Sequence, residues 1–205
     1  MTKKMHAWSL AALPLAIGLA SFSGSAGAVN FNIGDVEAQL DSTLSVGASV
    51  STQNADKRFV SLSNGGEAAA RTSDDGRLNY GSGDTFSKIF RGVHDLELRY
   101  GDSGAFVRGK YWYDFETKDG GQSFYDIDDS GRPPLVKGAG VALLDAFVYH
   151  NYFIGNNPGN IRLGRQVVSW GESTFIGNSI NSINPIDVAA FRRPGAEIKE
   201  GLLPV

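Results

Sequence analysis

Residues 36–50, VEAQLDSTLSVGASV, alternate between apolar and polar side chains along their whole length. Val36, Ala38, Leu40, Leu44, Val46, Ala48 and Val50 share one parity, interrupted only by Ser42. Glu37, Gln39, Asp41, Thr43, Ser45, Gly47 and Ser49 share the other. A period of two is the signature of a β-strand, because successive side chains leave opposite sides of the pleat. This strand is far longer than the roughly five or six residues of an ordinary one. The run LELRYGDSGAFVRGKYWYDFE, residues 96–116, predicts a hairpin. Leu96, Leu98 and Tyr100 alternate with Asp95, Glu97 and Arg99, and residues 101–104 are turn formers. On the return strand Ala105, Val107, Gly109, Tyr111, Tyr113 and Phe115 oppose Arg108, Lys110, Asp114 and Glu116, with Phe106 and Trp112 out of pattern. A further strand is expected over 141–154, another from Ile161 to Val168 beyond NNPGN, and a sixth from near Glu197 to Val205. Helical periodicity is confined to NPIDVAAFRR. There Asn184 suits an N-cap, Pro185 the first helical position and Asp187 the dipole, which predicts a short loop helix near 185–192, stopped by Pro194 and Gly195.

The connections between these strands are long at 51–88, 117–140 and 169–195, and short at 101–104 and 155–160. Strict alternation puts every long loop at one end of the sheet, the asymmetry of an outer-membrane barrel. Tyr111, Tyr113 and Phe115 would then mark one membrane interface, and Tyr100 and Tyr152 the other. The expected fold class is all-β, an antiparallel up-and-down transmembrane β-barrel with about six of its strands present. A secreted sandwich could bury the same alternation in a core, but the strand length, the charged opposite faces and the loop asymmetry speak against it. Six strands are too few to close a membrane barrel, whose smallest members have about eight. Residues 29–205 are therefore expected to be the N-terminal portion of an outer-membrane barrel domain.

Residues 1–28 read as a secretory signal peptide: Lys3 and Lys4, a mostly apolar stretch from Ala7 to Phe22, then Ala26-Gly27-Ala28 before a mature start at Val29. Losing Lys3 and Lys4 from 19 basic side chains, against 22 acidic ones, moves the net charge from −3 to −5. That acidity excludes a nucleic-acid footprint, which would be basic. The absence of cysteine excludes a disulfide framework despite export.

Candidate chemistry is sparse. Beyond the signal only His94 and His150 remain. His94 and Asp95 are adjacent on a strand and so face opposite ways, and no G-x-S-x-G nucleophile motif occurs. The expectation is a non-enzyme without catalytic residues, cofactor or metal. DIDDSG, residues 126–131, begins like a calcium loop through Asp126, Asp128, Ser130 and Gly131, but the twelfth position is Lys137 rather than an acid. Glu37, Gln39, Asp41, Thr43, Asp95, Glu97, Arg99, Arg108, Lys110 and Asp114 would line the barrel wall. By analogy with porins, Trp170, Glu172, Asp187, Arg192 and Arg193 of the 169–195 loop are assigned a constriction role, the alternative being local ion pairs within an external cap. Strict parity from Ile161 and Leu163 points Arg165 at lipid, unless Gly164 marks a bulge or the side chain reaches the rim. Two functions remain open: a porin-like conduit, and a surface-binding or adhesion barrel whose long loops contact a partner.

The segment RLGRQVVSWGESTFIGNSINSINPIDVAAFRRPGAEIKEGLLPV, with DDGRLNYGSGD at 74–84 and YGDSGAFVRGKYWYDFE at 100–116, closely resembles a Gram-negative family catalogued as domain of unknown function 1302. The resemblance covers essentially the whole mature chain. It implies an outer-membrane barrel longer than this chain, in contact with outer-membrane lipid. It also implies partnership with a periplasmic lipoprotein-like protein and an exporter of the resistance-nodulation-division type, and small-molecule substrates of hydrophobic or aromatic character.

Overall fold

The computed structural model describes residues 22–23, 27–69, 73–168, 183–191 and 201–205. They build one antiparallel sheet from β1 (Phe22–Ser23), β2 (Gly27–Ile33), β3 (Val36–Val50), β4 (Thr85–Tyr100), β5 (Ser103–Asp114), β6 (Ala139–Ile154) and β7 (Asn157–Arg165). The spatial order from β3 to β7 is the sequence order, an up-and-down meander, and β1 and β2 both pair with the outer side of β3. The sheet does not close among the described residues, where β1 and β2 share one edge and β7 is the other. Over the described residues the fold is therefore an all-β antiparallel open sheet.

Strand β3 has the predicted bounds, and β4, β5 and β6 match the expected strands with ends moved by a few residues. Strand β2 is an addition. Val29, Phe31 and Ile33 alternate with Asn30 and Asn32, and Gly34-Asp35 forms a two-residue turn with Gly34 at a φ of 62°. That left-handed conformation is one glycine adopts without strain. The pairing runs back to Gly27 and Ala28, two residues before the expected mature start. Strand β7 covers Asn157–Arg165 rather than 161–168, so most of NNPGN is strand. Pro158, opposite Phe153, is tolerated because β7 is an edge. The turns at 34–35, 101–102 and 155–156 lie at one end of the sheet, and the long connections 51–84 and 115–138 at the other. The loop asymmetry of the sequence is present and extends to one further strand.

Register explains the residues that broke the alternation. Phe106 and Trp112 pair with Glu97 and Arg91, so both stand on the polar face beside Arg108 and Lys110. The blurred pattern of β6 comes from a bulge. Val107 pairs with Ala146 and Gly109 with Leu143, leaving Arg108 opposite both Leu144 and Asp145. Arg165 pairs with Ala146, which keeps it on the apolar parity with Leu163 and Ile161. Aromatic rings recurrently lie over cross-strand glycines: Tyr111 over Gly92, Tyr149 over Gly104, Trp112 over Gly140 and Tyr152 over Gly159. Each glycine leaves room for a ring flat on the sheet, and the ring covers backbone the glycine would bare.

Burial is inverted relative to a soluble core. On the apolar parity Val141 is 79% exposed and Leu163 67%, and Val46, Val148 and Ile161 are also exposed. On the polar parity Arg91, Lys110, Asp114 and Asp145 are buried, together with Ile89, Val93, Trp112 and Leu144. Among the described residues the buried set contains nine polar or charged side chains against seven apolar ones. That balance contradicts a sandwich interior, where buried charges are rare.

The long loops are built rather than loose. Strand β5 ends at Asp114, whose carboxylate caps helix α1 (Phe115–Asp119) by accepting from the backbone N–H of Glu116 and Thr117. Helix α2 spans only Val188–Phe191, in place of the helix expected over 185–192. Its first turn is capped by Asp187, not Asn184, since Asp187 Oδ1 accepts from Ala190 N at 3.0 Å. The start is delayed because Pro185 O accepts from Leu203 N, Ile186 bridges Leu202 and Asp187 N donates to Gly201 O, which holds 185–187 extended. Asn184 instead grips Val168 through both its amide groups. The sixth strand expected from Glu197 lies outside the described residues as far as 200, and Val205 exchanges two backbone hydrogen bonds with Gln166. Buried Asn79 joins the two long loops. Its Oδ1 accepts from Phe124 N and Tyr125 N at 2.9 and 2.7 Å, and its Nδ2 donates to Tyr125 O at 2.9 Å.

Replacing Asn79 with Ala leaves three backbone groups without a partner, so the loops should part at a cost of about 1–3 kcal/mol. Amide hydrogen exchange at Phe124 and Tyr125 should quicken in Asn79→Ala while exchange within β4 and β5 stays slow.

Candidate functional site

The polar face is the only part of the described sheet where chemistry gathers. At its centre Arg108 forks onto Asp95, its cross-strand neighbour, with Nε and Nη2 each 2.7 Å from a carboxylate oxygen. Arg108 Nη1 also reaches Asp145 Oδ2 at 3.5 Å. The second Asp145 oxygen accepts from Val167 N at 2.9 Å, so the bulge ties the strands to the chain leaving β7. Asp41 and Asp95 stand directly opposite each other, a like-charge pairing that alone would destabilise the sheet. Arg108 neutralises one carboxylate, and Gln39 Nε2 donates to the other at 3.0 Å. Four residues from Asp95 along β4 toward the long loops, buried Arg91 donates through Nε to Ser45 Oγ at 2.7 Å. Lys110, only 3% exposed, places its Nζ 5.4 Å from the centre of the Trp112 ring. Such burial of cations demands partners throughout, because stranding one costs several kcal/mol.

Toward the short turns, Arg99 forks onto Glu97 at 2.8 and 2.9 Å, and Tyr149 donates its hydroxyl to Glu97 at 2.7 Å. Toward the long loops, Ser87 Oγ donates to Asp114, Lys88 pairs with Glu116 at 2.7 Å, and Trp112 Nε1 donates to Lys137 O at 2.8 Å. In the 115–138 loop, Asp129 accepts from Gly138 N and from Lys118 Nζ. Both bonds favour its carboxylate form, the backbone bond foremost, and hold its pKa below the ordinary value.

The expected wall residues Glu37, Gln39, Asp41, Thr43, Asp95, Glu97, Arg99, Arg108, Lys110 and Asp114 occupy this one face in register. Within it Asp95, Arg108, Glu97 and Arg99 form ion pairs, and Asp114 doubles as a helix cap. Of the expected constriction residues, Trp170, Glu172, Arg192 and Arg193 lie outside the described residues. Asp187 is described, buried, with Oδ2 lacking a hydrogen-bond partner among the described residues. His94 and His150 stand on the apolar face, each with Nδ1 bonded to a serine hydroxyl, Ser42 at 2.8 Å and Ser103 at 2.9 Å. His94 is therefore turned away from Asp95. In DIDDSG, Asp128 accepts from Ser130 N, a local turn bond. Sequence reasoning missed Asp145, Arg91 and the aromatic members Phe106, Trp112, Phe147 and Tyr149. For Phe106 and Trp112 the available signal was that both fall on the parity of Arg108 and Lys110.

These features define a class of protein: an open antiparallel β-sheet with a cross-linked charged face that is largely covered and an apolar face that is bare. Within that class the chain belongs to the family described as "Protein of unknown function (DUF1302)", which matches residues 9–205. No curated protein and no solved structure matches it.

Removing Arg108 strands Asp95 on a half-buried face, and removing Asp95 leaves Arg108 with its longer contact to Asp145 at 3.5 Å. Asp95→Asn and Arg108→Gln should each destabilise the fold by about 1–3 kcal/mol in chemical denaturation. The double variant should lose clearly less than the two losses combined, because the single changes delete the same interaction.

Proposed function

We propose that this chain forms part of the wall of an outer-membrane β-barrel that serves as a porin-like conduit, with the polar face toward a water-filled lumen and the apolar face in contact with lipid. The observation that carries this reading is the inversion of burial: paired charges on one face, bare aliphatic side chains on the other. An exposed apolar surface of this extent is an interaction site, and lipid fits it as it fits the outward apolar band of a membrane barrel. Loops that are long at one end and tight at the other support the same orientation, with the short turns toward the periplasm. The serine bonds of His94 and His150 satisfy one nitrogen of each ring on the lipid side, as burial in an apolar medium requires. Hydrophobic or aromatic small molecules are the proposed cargo, passed in concert with a periplasmic lipoprotein-like protein and a resistance-nodulation-division exporter, as the family resemblance implies. The adhesion reading draws support from one feature, the two long loops clamped by Asn79, which present exposed Phe59, Leu62 and Tyr125.

Thiol labelling in intact outer membranes tests the orientation. Ser45 is engaged by Arg91, so Thr43 is the better probe of the polar face. Leu44→Cys should react with a lipid-soluble maleimide and resist a charged one, and Thr43→Cys should show the reverse. Protection of the Leu44→Cys thiol from both reagents would mean a dry protein core and would end the membrane reading. Discrete conductance steps in planar bilayers would separate conduit from adhesin.

A further inference from the structure

Three aromatic rings lie together on the polar face near the short turns, where alternation would otherwise place polar groups. Phe106 and Phe147 are cross-strand partners with ring centres 5.3 Å apart, and Tyr149 follows Phe147 at 6.4 Å. Two guanidinium groups lie over these rings, Arg108 at 5.1 Å from the Phe106 ring centre and Arg162 at 5.5 Å from that of Phe147. Phe106, Phe147, Tyr149 and Arg162, with Glu97 and Arg99, line an open pocket of about 390 Å³, the size of a small-molecule site.

The cations around the pocket differ in what they have left to give. Arg108 is engaged by Asp95 and Asp145, and Arg99 by Glu97. Arg162 is exposed and pairs with no carboxylate among the described residues. Its Nε donates to Asn160 Oδ1 at 3.1 Å, and Asn160 Nδ2 donates in turn to Asn151 Oδ1 at 2.7 Å. That chain of amides fixes the guanidinium plane through Nε and leaves the terminal amino groups available. An apolar aromatic floor beside one oriented, uncompensated guanidinium selects a ligand that is flat and anionic.

We propose that this pocket binds a planar aromatic carboxylate, its ring packed beside Phe106, Phe147 and Tyr149 and its carboxylate forked onto Arg162. The proposal deepens the conduit reading and rests on it for access from water, which places the pocket at the periplasmic mouth. The short-turn position then makes it the first site an outbound molecule meets. Aromatic cations would be turned away by Arg162, and small aliphatic anions would lack the stacking surface.

Saturable binding of 2-naphthoate to the intact protein in lipid nanodiscs, measured by equilibrium dialysis against empty discs, is the test. Acetate and 2-naphthylmethylammonium should bind at least about tenfold more weakly. Arg162→Gln should weaken naphthoate binding by a similar factor, and Arg162→Lys should recover part of it, since an ammonium keeps the charge but not the fork. Phe147→Leu should weaken naphthoate binding without creating affinity for acetate. Equal binding of the naphthyl anion and cation, or naphthoate affinity unchanged in both Arg162→Gln and Phe147→Leu, overturns the proposal. Bilayer currents recorded on the same preparation keep the two readings apart. Naphthoate binding with silent bilayers removes the conduit and keeps the pocket, and open channels without selective naphthoate binding do the opposite.

Discussion

The sheet depends on one electrostatic constraint: charged side chains crowded and half-buried on a single face must neutralise one another across strands. Asp41 and Asp95 meet head-on in the β3–β4 register, and that register is fixed by a long run of backbone pairs that cannot slip without turning every side chain over. The repulsion is relieved from the next strand by Arg108, whose fork matches the geometry of the Asp95 carboxylate. The bulge in β6 completes the arrangement. By setting two residues opposite Arg108, it brings both Leu144 and Asp145 to the covered face, and Asp145 links the pair to the chain beyond β7. A regular β6 would turn one of the two toward the apolar side, and a charge there would have no partner.

A second device lets the sheet carry large rings without losing its pleat. Glycines opposite Tyr111, Tyr149, Trp112 and Tyr152 let each ring lie flat across the neighbouring strand. On the apolar face this makes a smooth surface, with His94 stacked on Tyr111 at 5.6 Å between ring centres. On the polar face the same device sets Tyr149 and Trp112 among charges, where the tyrosine hydroxyl holds Glu97 and the indole holds the loop carbonyl of Lys137. The high glycine content, 26 residues in all, thus serves strand interiors as well as turns. At the loop end, carboxylate and amide groups, with Asp129 and Asn79 buried and Asp75 half-buried, hold the backbone together. Asp75 accepts from Ser61 N, Asp129 from Gly138 N, and Asn79 clamps the two loops. Each satisfies backbone groups that a long connection would otherwise expose or strand.

The pattern along the chain determined the strands, their faces and the asymmetry of the loops, because period-two alternation is a local property that each residue reports for itself. It marked β3 at both ends and placed Asp95, Arg108, Glu97 and Arg99 on one face before any partner was known. Strand β2 is equally legible in the alternation of VNFNIGD, although it begins two residues before the expected signal boundary. What the tertiary structure alone decided concerns contacts between residues far apart in sequence. The bulge opposite Arg108, the capture of Asn184 by Val168 and the shortening of α2 to Val188–Phe191 all depend on which distant backbone groups arrive beside them. So does the grouping of Phe106, Phe147, Tyr149 and Arg162, drawn from three strands. Alternation gives each of these side chains a face but carries no information about its neighbours, and neighbours are set by register, which only the assembled sheet supplies.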